Sequence, residues 1–287
     1  MGAGKSGSTI FGVTLGNCEG FVFAGELFFW TVRSGLPVFS GSKLGDFWRE
    51  VREQVDAEGL FGTEVARRLE RSRSLLRVDA WRARRGLRSR FRRVSDNLYR
   101  EIARVADAEY VVDTSHFPLR ARELRSIPGI DLHLVLLIRD PRSVVASYMR
   151  RTKGGRRRRG LALLSYNAGL WLTYLLSLLV FLTHRRDRRM LVRHEQFLAD
   201  PESALREILE RTGSRSAVPD LTSLCTGYPL QANVLVRSPV VALRAHTEPP
   251  PKGSLLTSAL QLPWALILPR LRPVIPSASS DAGKRAR

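Results

Sequence analysis

Short apolar strands alternating with helical stretches predict an α/β fold, a three-layer parallel sheet with helices on both faces. Three observations carry that expectation. Residues 132–138 are an almost unbroken apolar run, the pattern of a central parallel strand buried on both sides. Residues 110–113 and 190–193 repeat it in shorter form. Each run ends in polar residues, and in open parallel sheets ligands bind at the C-terminal strand ends.

The chain opens with Gly2, Gly4, Lys5, Ser6, Gly7, Ser8 and Thr9, and the apolar segment 10–15 follows directly. Glycines let the backbone curl so that successive N–H groups converge on an anion. A following helix adds its positive N-terminal end. The loop is therefore P-loop-like but not a standard P-loop. With Gly2 and Gly7 aligned on G-x-x-x-x-G-K-[ST], Ser8 stands where the lysine belongs, and the lysine sits earlier, at Lys5. The plainer reading is a Gly/Ser-rich tail.

Residues 8–16 read as a short helix, 17–20 as a turn and 21–23 as a strand, with Gly25 and Glu26 just past its end. Glu26 stands where a carboxylate can do chemistry, although on position alone a surface glutamate capping the helix 27–32 is the better reading. Residues 33–46, rich in glycine and serine, read as a loop. Residues 47–104 read as mostly helical, with Phe47, Val51 and Val55, then Val65 and Leu69, at helical spacing. In 82–93, Leu87 and Phe91 share one side and arginines occupy the rest, which suits a solvated face.

The strand 110–113 leads into Thr114, Ser115, His116, Phe117 and Pro118, followed by a helix over 119–126. The strand 132–138 leads into Arg139, Asp140 and Pro141, and a helix starting at Pro141 carries Ser147 and Arg151. Residues 154–160 read as a basic loop. Residues 168–183 carry no charge and approach a membrane span in length. Asn167, Gly169, Thr173 and Ser177 interrupt them, and a strand at 190–193 in the same sheet as 132–138 puts both flanks on one side of any bilayer. The segment 161–183 therefore reads as a buried or membrane-touching helix. Asp200 as N-cap, Pro201 at the first position and Gly213 as stop frame a helix over 202–211. The expected divisions are an α/β domain over 1–240, an irregular apolar, proline-rich segment over 241–276 and a disordered tail over 277–287.

Composition narrows the class. The chain has 287 residues and a formal net charge of +20, most of its basic residues arginine. Such charge suits anionic ligands, membranes or nucleic acid. Basic residues interleaved with exposed aromatics, or a nucleic-acid reading module, are missing from the sequence, so nucleic acid is not an expected partner. Two cysteines, Cys18 and Cys225, give neither a disulfide framework nor metal spacing. Residues 1–9 lack an apolar signal-peptide core. A cytoplasmic location is expected, with membrane association as an alternative.

The constellation resembles one family. Lys5-Ser6-Gly7-Ser8-Thr9, Gly25-Glu26, the stretch from Asp113 to Leu119, Arg139-Asp140-Pro141-Arg142 with Ser147, and His194-Glu195-Gln196-Phe197 with Asp200-Pro201-Glu202 are similar, in order, to the sulfotransferases that use 3′-phosphoadenosine 5′-phosphosulfate (PAPS). The likeness covers residues 2–240 and is nearest to bacterial members and the tyrosylprotein branch. It implies a P-loop NTPase-like fold in which Lys5, Ser6, Gly7, Ser8 and Thr9 hold the 5′-phosphosulfate. It implies that Arg139 and Ser147 hold the 3′-phosphate, with Arg151 a third contact. Arginine suits that role through its planar fork. It further implies Glu26 as general base and Lys5 as the charge neutralising the bridging oxygen.

The chain departs from the family at His116, where a lysine or similar polar residue is usual, and at His194, where tyrosine is usual. His116 can donate to the sulfuryl group or act as the base, and His194 can hydrogen-bond the cofactor. The strand that precedes the loop in the family is absent, so a start upstream is expected. The expected function is sulfuryl transfer from PAPS, without a metal, to a hydroxyl or amine of a small-molecule, glycan or lipid acceptor. Rival readings are a P-loop-type kinase or nucleotide hydrolase, and an inactive membrane-associated binding protein.

Overall fold

In chain order the elements are α1 (Ser8–Leu15), β1 (Phe21–Gly25), α2 (Phe28–Arg33), α3 (Ser42–Gln54), α4 (Val78–Ala106), β2 (Tyr110–Asp113), α5 (Pro118–Leu124) and β3 (Leu134–Ile138). There follow α6 (Pro141–Met149), α7 (Arg156–Leu182), β4 (Arg189–Arg193), α8 (His194–Ala199), α9 (Pro201–Thr212), β5 (Leu224–Cys225), β6 (Val240–Val241) and α10 (Leu255–Ile267). This is a computed structural model, and it describes residues 1–273 apart from 34, 40, 56–68, 72–74, 76–77, 151–155, 245–254 and 272. Val65, Arg151, residues 249–251 and the segment 277–287 lie outside the described residues.

Strand β3 pairs in parallel with β4 from Leu134↔Arg189 to Ile138↔Arg193. Its side chains alternate between two cores, as period-two geometry requires. Leu134, Leu136 and Ile138 pack with Val144, Val145, Leu170, Tyr174 and Trp264 from α6, α7 and α10. Leu137 turns the other way, onto Phe11, Met190, Phe197, Leu205 and Ile208. Strand β1 pairs in parallel with β2 and divides its residues likewise. Val22 and Ala24 join Trp48, Phe91 and Ile102, while Phe23 joins Val13 and Leu224. Helices therefore cover both faces of the strands.

The sheet differs from a continuous three-layer parallel sheet. Among the described residues the parallel strands form two separate pairs, β1–β2 and β3–β4. Between them lies a cavity of about 580 Å³, lined in part by Phe11, Leu15, Val111, Val112, Val135 and Met190. The chain start partly occupies the β3 side of this slot. Gly2 bridges Leu137 in parallel, Leu137 N–H donates to the Met1 carbonyl at 2.9 Å, and the Met1 ammonium donates to the Val135 carbonyl at 2.8 Å. A side chain at Gly2, whose φ is +145°, would collide with the Leu137 carbonyl, so only glycine allows the chain this close.

Three further segments differ from expectation. Helix α3 begins inside the expected loop 33–46, because Phe47, Trp48 and Val51 bury one face against α4 and outweigh the poor helix formers at its start. Helix α7 begins at Arg156, within the expected basic loop 154–160. The segment 241–276 is not wholly irregular, since α10 runs through Pro263. An internal proline costs about 3 kcal/mol, and fully burying Trp264 and Leu268 returns about 1.5–3 kcal/mol each. Two bonds to α7 add to this. Trp171 Nε1–H donates to the Leu260 carbonyl at 2.8 Å and Gln261 Nε2–H to Asn167 Oδ1 at 3.0 Å. Helix α9 forms as read, with Asp200 Oδ1 accepting from Ser203 N–H at 3.1 Å and Gly213 left-handed at φ +78°.

Candidate active site

The loop before α1 sits at the C-terminal ends of β2, β3 and β4 because Gly2 is anchored to β3. Its curvature comes from two left-handed residues, Lys5 at φ +70° and Gly7 at φ +89°. A left-handed lysine costs about 1–2 kcal/mol, so its surroundings must hold it there. Arg139 does so: its Nη1–H donates to the Lys5 carbonyl at 3.1 Å. The Arg139 carbonyl in turn accepts from the Tyr174 hydroxyl at 2.9 Å, which ties the end of β3 to α7.

Close packing leaves no room for side chains at two loop glycines. A Cβ at Gly4 would strike the Tyr148 hydroxyl, and one at Gly7 would strike the His194 imidazole. The buried His194 at the end of β4 thus forms one wall of the loop. Ser6 is buried, and Ser8 and Thr9 are half-buried in the first turn of α1. Gly7 caps α1 without a side chain, so the cap residue itself supplies no acceptor for the first N–H groups of that helix.

Glu26 follows β1 and faces this loop. Gly25 turns at φ +76°, with the Gln231 carbonyl where its Cβ would be, and Glu26 N–H donates to that carbonyl at 2.7 Å. Burial pushes the Glu26 carboxyl up to about 7; the Asp113 charge adds to this and Lys5 opposes it. His116 Nε2 lies 3.7 Å from Glu26 Oε2. His116 Nδ1 lies 3.2 Å from the Thr114 carbonyl, which only accepts, so Nδ1 carries the proton and Nε2 presents a lone pair toward Glu26. Burial, with the chain-terminal ammonium and Lys5, pushes His116 down to about 4. The imidazole is neutral near pH 7.

Beneath these groups lies a buried polar cluster that sequence reasoning did not resolve. Asp113 at the end of β2 accepts from Ser115 N–H at 2.7 Å, the Tyr99 hydroxyl at 2.6 Å and Arg120 Nε–H at 3.1 Å. Burial alone would raise its carboxyl, but Arg120 and the Ser115 and Tyr99 bonds outweigh it and hold it below the ordinary value. Arg120 also pairs with the buried Glu70. Ser115 Oγ accepts from Phe28 N–H at 2.9 Å, so the 113–116 turn is bonded to the start of α2, two residues past Glu26. The available signal was the pattern of Asp113 at a strand end with Arg120 seven residues on; Tyr99 and Glu70 had none.

The structure thus gathers Lys5, Gly7, Glu26, His116, Arg139 and His194 around one loop. Ser147 is half-buried on α6, next to Tyr148, and its side chain makes no hydrogen bond among the described residues. The start of α6 is joined to α8 through Asp140 N–H, which donates to Glu195 Oε1 at 2.9 Å. The position of Arg151 is outside the described residues.

A glycine-rich loop at the strand ends thus lies beside a carboxyl with a raised pKa, on an α/β frame. A sequence profile of the sulfotransferase family matches residues 1–217, and the chain belongs to that family. It is accordingly a sulfuryl-group transferase. No curated protein matches the sequence. Two solved structures share the fold. The sulfotransferase domain from the curacin biosynthetic pathway is 12% identical with a TM-score of 0.55, covering 92% of this chain and 95% of its own. The sulfotransferase STF9 from Mycobacterium avium is 14% identical with a TM-score of 0.50, covering 95% of this chain and 76% of its own.

Proposed function

We propose that this protein transfers the sulfuryl group of PAPS to a hydroxyl or amine of its acceptor by in-line displacement. The observation that carries the reading is the convergence of the Lys5 loop with the Glu26–His116 pair at the strand ends. The loop's fit to an anion rests on the start of α1, where the Gly7 cap supplies no acceptor of its own, and on glycines pressed against Tyr148 and His194. In this reading residues 5–9 form a P-loop-like cradle for the 5′-phosphosulfate, and Arg139 and Ser147 serve the 3′-phosphate. PAPS supplies an activated sulfur whose bond to the bridging oxygen breaks as the acceptor's bond forms, leaving 3′-phosphoadenosine 5′-phosphate.

Each residue then has a defined task. Glu26 takes the acceptor proton; a carboxyl near 7 is half ionised at neutral pH, where a base is most effective. Neutral His116 presents its Nε2 lone pair toward the protonated Glu26 carboxyl and so orients it; with a value near 4 it does not take the proton from a carboxyl near 7. Lys5 neutralises the charge that grows on the bridging oxygen. His194 fixes the loop's outer wall. The test is calorimetric titration with 3′-phosphoadenosine 5′-phosphate, followed by incubation with sulfur-labelled PAPS and a panel of phenols, glycans and glycolipids. Saturable binding with label transfer is expected. Absence of binding, or hydrolysis of ATP with magnesium in its place, would overturn the reading.

A further inference from the structure

We propose that the outer faces of α7 and α10 dock this protein on an anionic lipid surface, peripherally and without spanning it. Helix α7 buries one side in the core, through Leu170, Tyr174, Val180 and Phe181. Its opposite side exposes Leu161, Leu164, Leu175, Leu179 and Leu182, with 58% of Leu175 and of Leu179 accessible. Successive steps of three, eleven, four and three residues separate these leucines, so all lie along one stripe of the helix. Helix α10 lies against α7 through Trp171 and Trp264, whose rings are 4.6 Å apart. It exposes Leu256, Leu262, Leu266 and Ile267. Leucines presented this openly by two adjacent helices form a surface that soluble monomers rarely leave bare.

Charge identifies the occupant. From Pro141 to Arg186 the sequence contains no aspartate or glutamate, and none occurs from Pro249 to Ser280. The ends of the two helices carry exposed arginines. Arg125 donates to Thr183 Oγ1 at 3.0 Å, Arg270 donates to the Leu266 carbonyl at 2.9 Å, and Arg185 and Arg186 follow α7. Two acids reach that turn, Asp187, paired with Arg185, and Asp131, paired with Arg188, against four arginines at 185, 186, 188 and 189. An apolar stripe with a basic rim matches the acyl boundary and headgroups of an anionic leaflet. A second copy would set one arginine rim against another in a chain of net charge +20, which opposes self-association. A span is excluded by the core contacts of α7: Tyr174 is bonded to the end of β3, and β4 returns beside β3 directly after the helix.

The test is co-sedimentation of the full chain with vesicles of pure phosphatidylcholine or of equimolar phosphatidylcholine and phosphatidylglycerol. Affinity for the anionic vesicles is expected to be higher by about tenfold or more, weakened by salt and released by alkaline carbonate. Leu175→Gln/Leu179→Gln/Leu182→Gln is expected to lose binding while keeping affinity for 3′-phosphoadenosine 5′-phosphate. Arg185→Glu/Arg186→Glu, which leaves the apolar stripe intact, is expected to lose only the preference for anionic lipid. Absence of sedimentation with both vesicles would overturn the proposal. So would resistance to carbonate extraction, which marks a span. A dimer in sedimentation equilibrium that the leucine variant dissociates, without vesicle binding, would assign the face to a second copy and overturn it equally.

Discussion

His116 Nε2 stands 3.7 Å from Glu26 Oε2, and burial moves the two groups in opposite directions, the imidazole down to about 4 and the carboxyl up to about 7. The acid is thereby the weaker of the two to ionise, an inversion of their order in water. Both are neutral over much of the range between those values, which spares the interior a charge until the carboxyl is needed as a base.

Opposite shifts predict opposite stability slopes. Glu26 has an ordinary value of 4.5 and a folded value of about 7, so the folded state keeps a proton that the unfolded state releases. Its contribution is fully present below 4.5 and is lost as pH rises to about 7. His116 moves from 6.5 to about 4, so its contribution is present above 6.5 and is lost as pH falls toward 4. In the overlap the two slopes oppose each other. Glu26→Gln should gain stability relative to wild type as pH rises from 4.5 to 7, approaching about 3 kcal/mol at most. His116→Gln should gain relative to wild type as pH falls from 6.5 to 4. Urea denaturation at stepped pH checks both, and identical profiles for both variants and wild type would refute the pairing. In turnover, Glu26→Gln should lose about 10²–10⁴-fold in kcat with cofactor affinity retained.

Lys5 carries strain as well as charge. Its φ of +70° suits glycine, and the Arg139 bond to its carbonyl holds it there. Lys5→Gly should therefore keep the loop's shape and relieve about 1–2 kcal/mol of strain, offset by about 0.5–1 kcal/mol for the more flexible unfolded chain. Its kcat should fall steeply, because the ammonium is gone. A thermal melt together with steady-state kinetics separates the two effects. A variant with normal kcat would remove Lys5 from the chemistry.

Arg139 links the loop to the expected 3′-phosphate position. Arg139→Ala should weaken binding of 3′-phosphoadenosine 5′-phosphate by about tenfold or more, the scale of a charge-assisted hydrogen bond. Arg139→Lys should recover only part of this, because an ammonium lacks the planar fork. Unchanged affinity in Arg139→Ala, measured by calorimetry, would move the 3′-phosphate elsewhere.

Local signals in this chain were readable and long-range ones were not. The apolar run ending at Ile138, the proline start of α6 and the Asp200 cap of α9 are set by neighbours within a few residues, and each formed as its spacing predicts. Glu26 and His116 were readable as polar residues at strand ends, but their contact depends on β1 and β2 pairing across 89 residues of sequence, from Phe21 to Tyr110. The buried Arg120–Glu70–Asp113–Tyr99 cluster joins three segments whose spacing has no common period, so no motif announces it. Helices α3 and α10 escape a local reading because glycine, serine and proline disfavour helix locally, while Trp48 and Trp264 secure it by burial that only the folded chain reveals.

The slot between β2 and β3 gives the last prediction. A designed extension of five residues ahead of Met1, rich in valine and isoleucine, would continue the parallel register that Gly2 makes with Leu137 and run past Val135 and Leu134. Its apolar side chains would enter the 580 Å³ cavity, and its backbone would meet the open edges of β2 and β3. Each buried aliphatic side chain contributes about 1.5–3 kcal/mol against about 1–2 kcal/mol per residue of backbone entropy, so hydrogen bonding to both edges decides the gain. The extension would also turn the Met1 ammonium, which burial pushes down to about 6, into an uncharged amide. That charge helps to depress His116, so the imidazole should titrate at a higher pH in the extended chain. A raised Tm with an upward-shifted His116 resonance titration is the expected result. A five-residue serine–glycine extension should shift His116 without raising Tm, and equal melting of the two extended chains would show that the slot does not accept a strand.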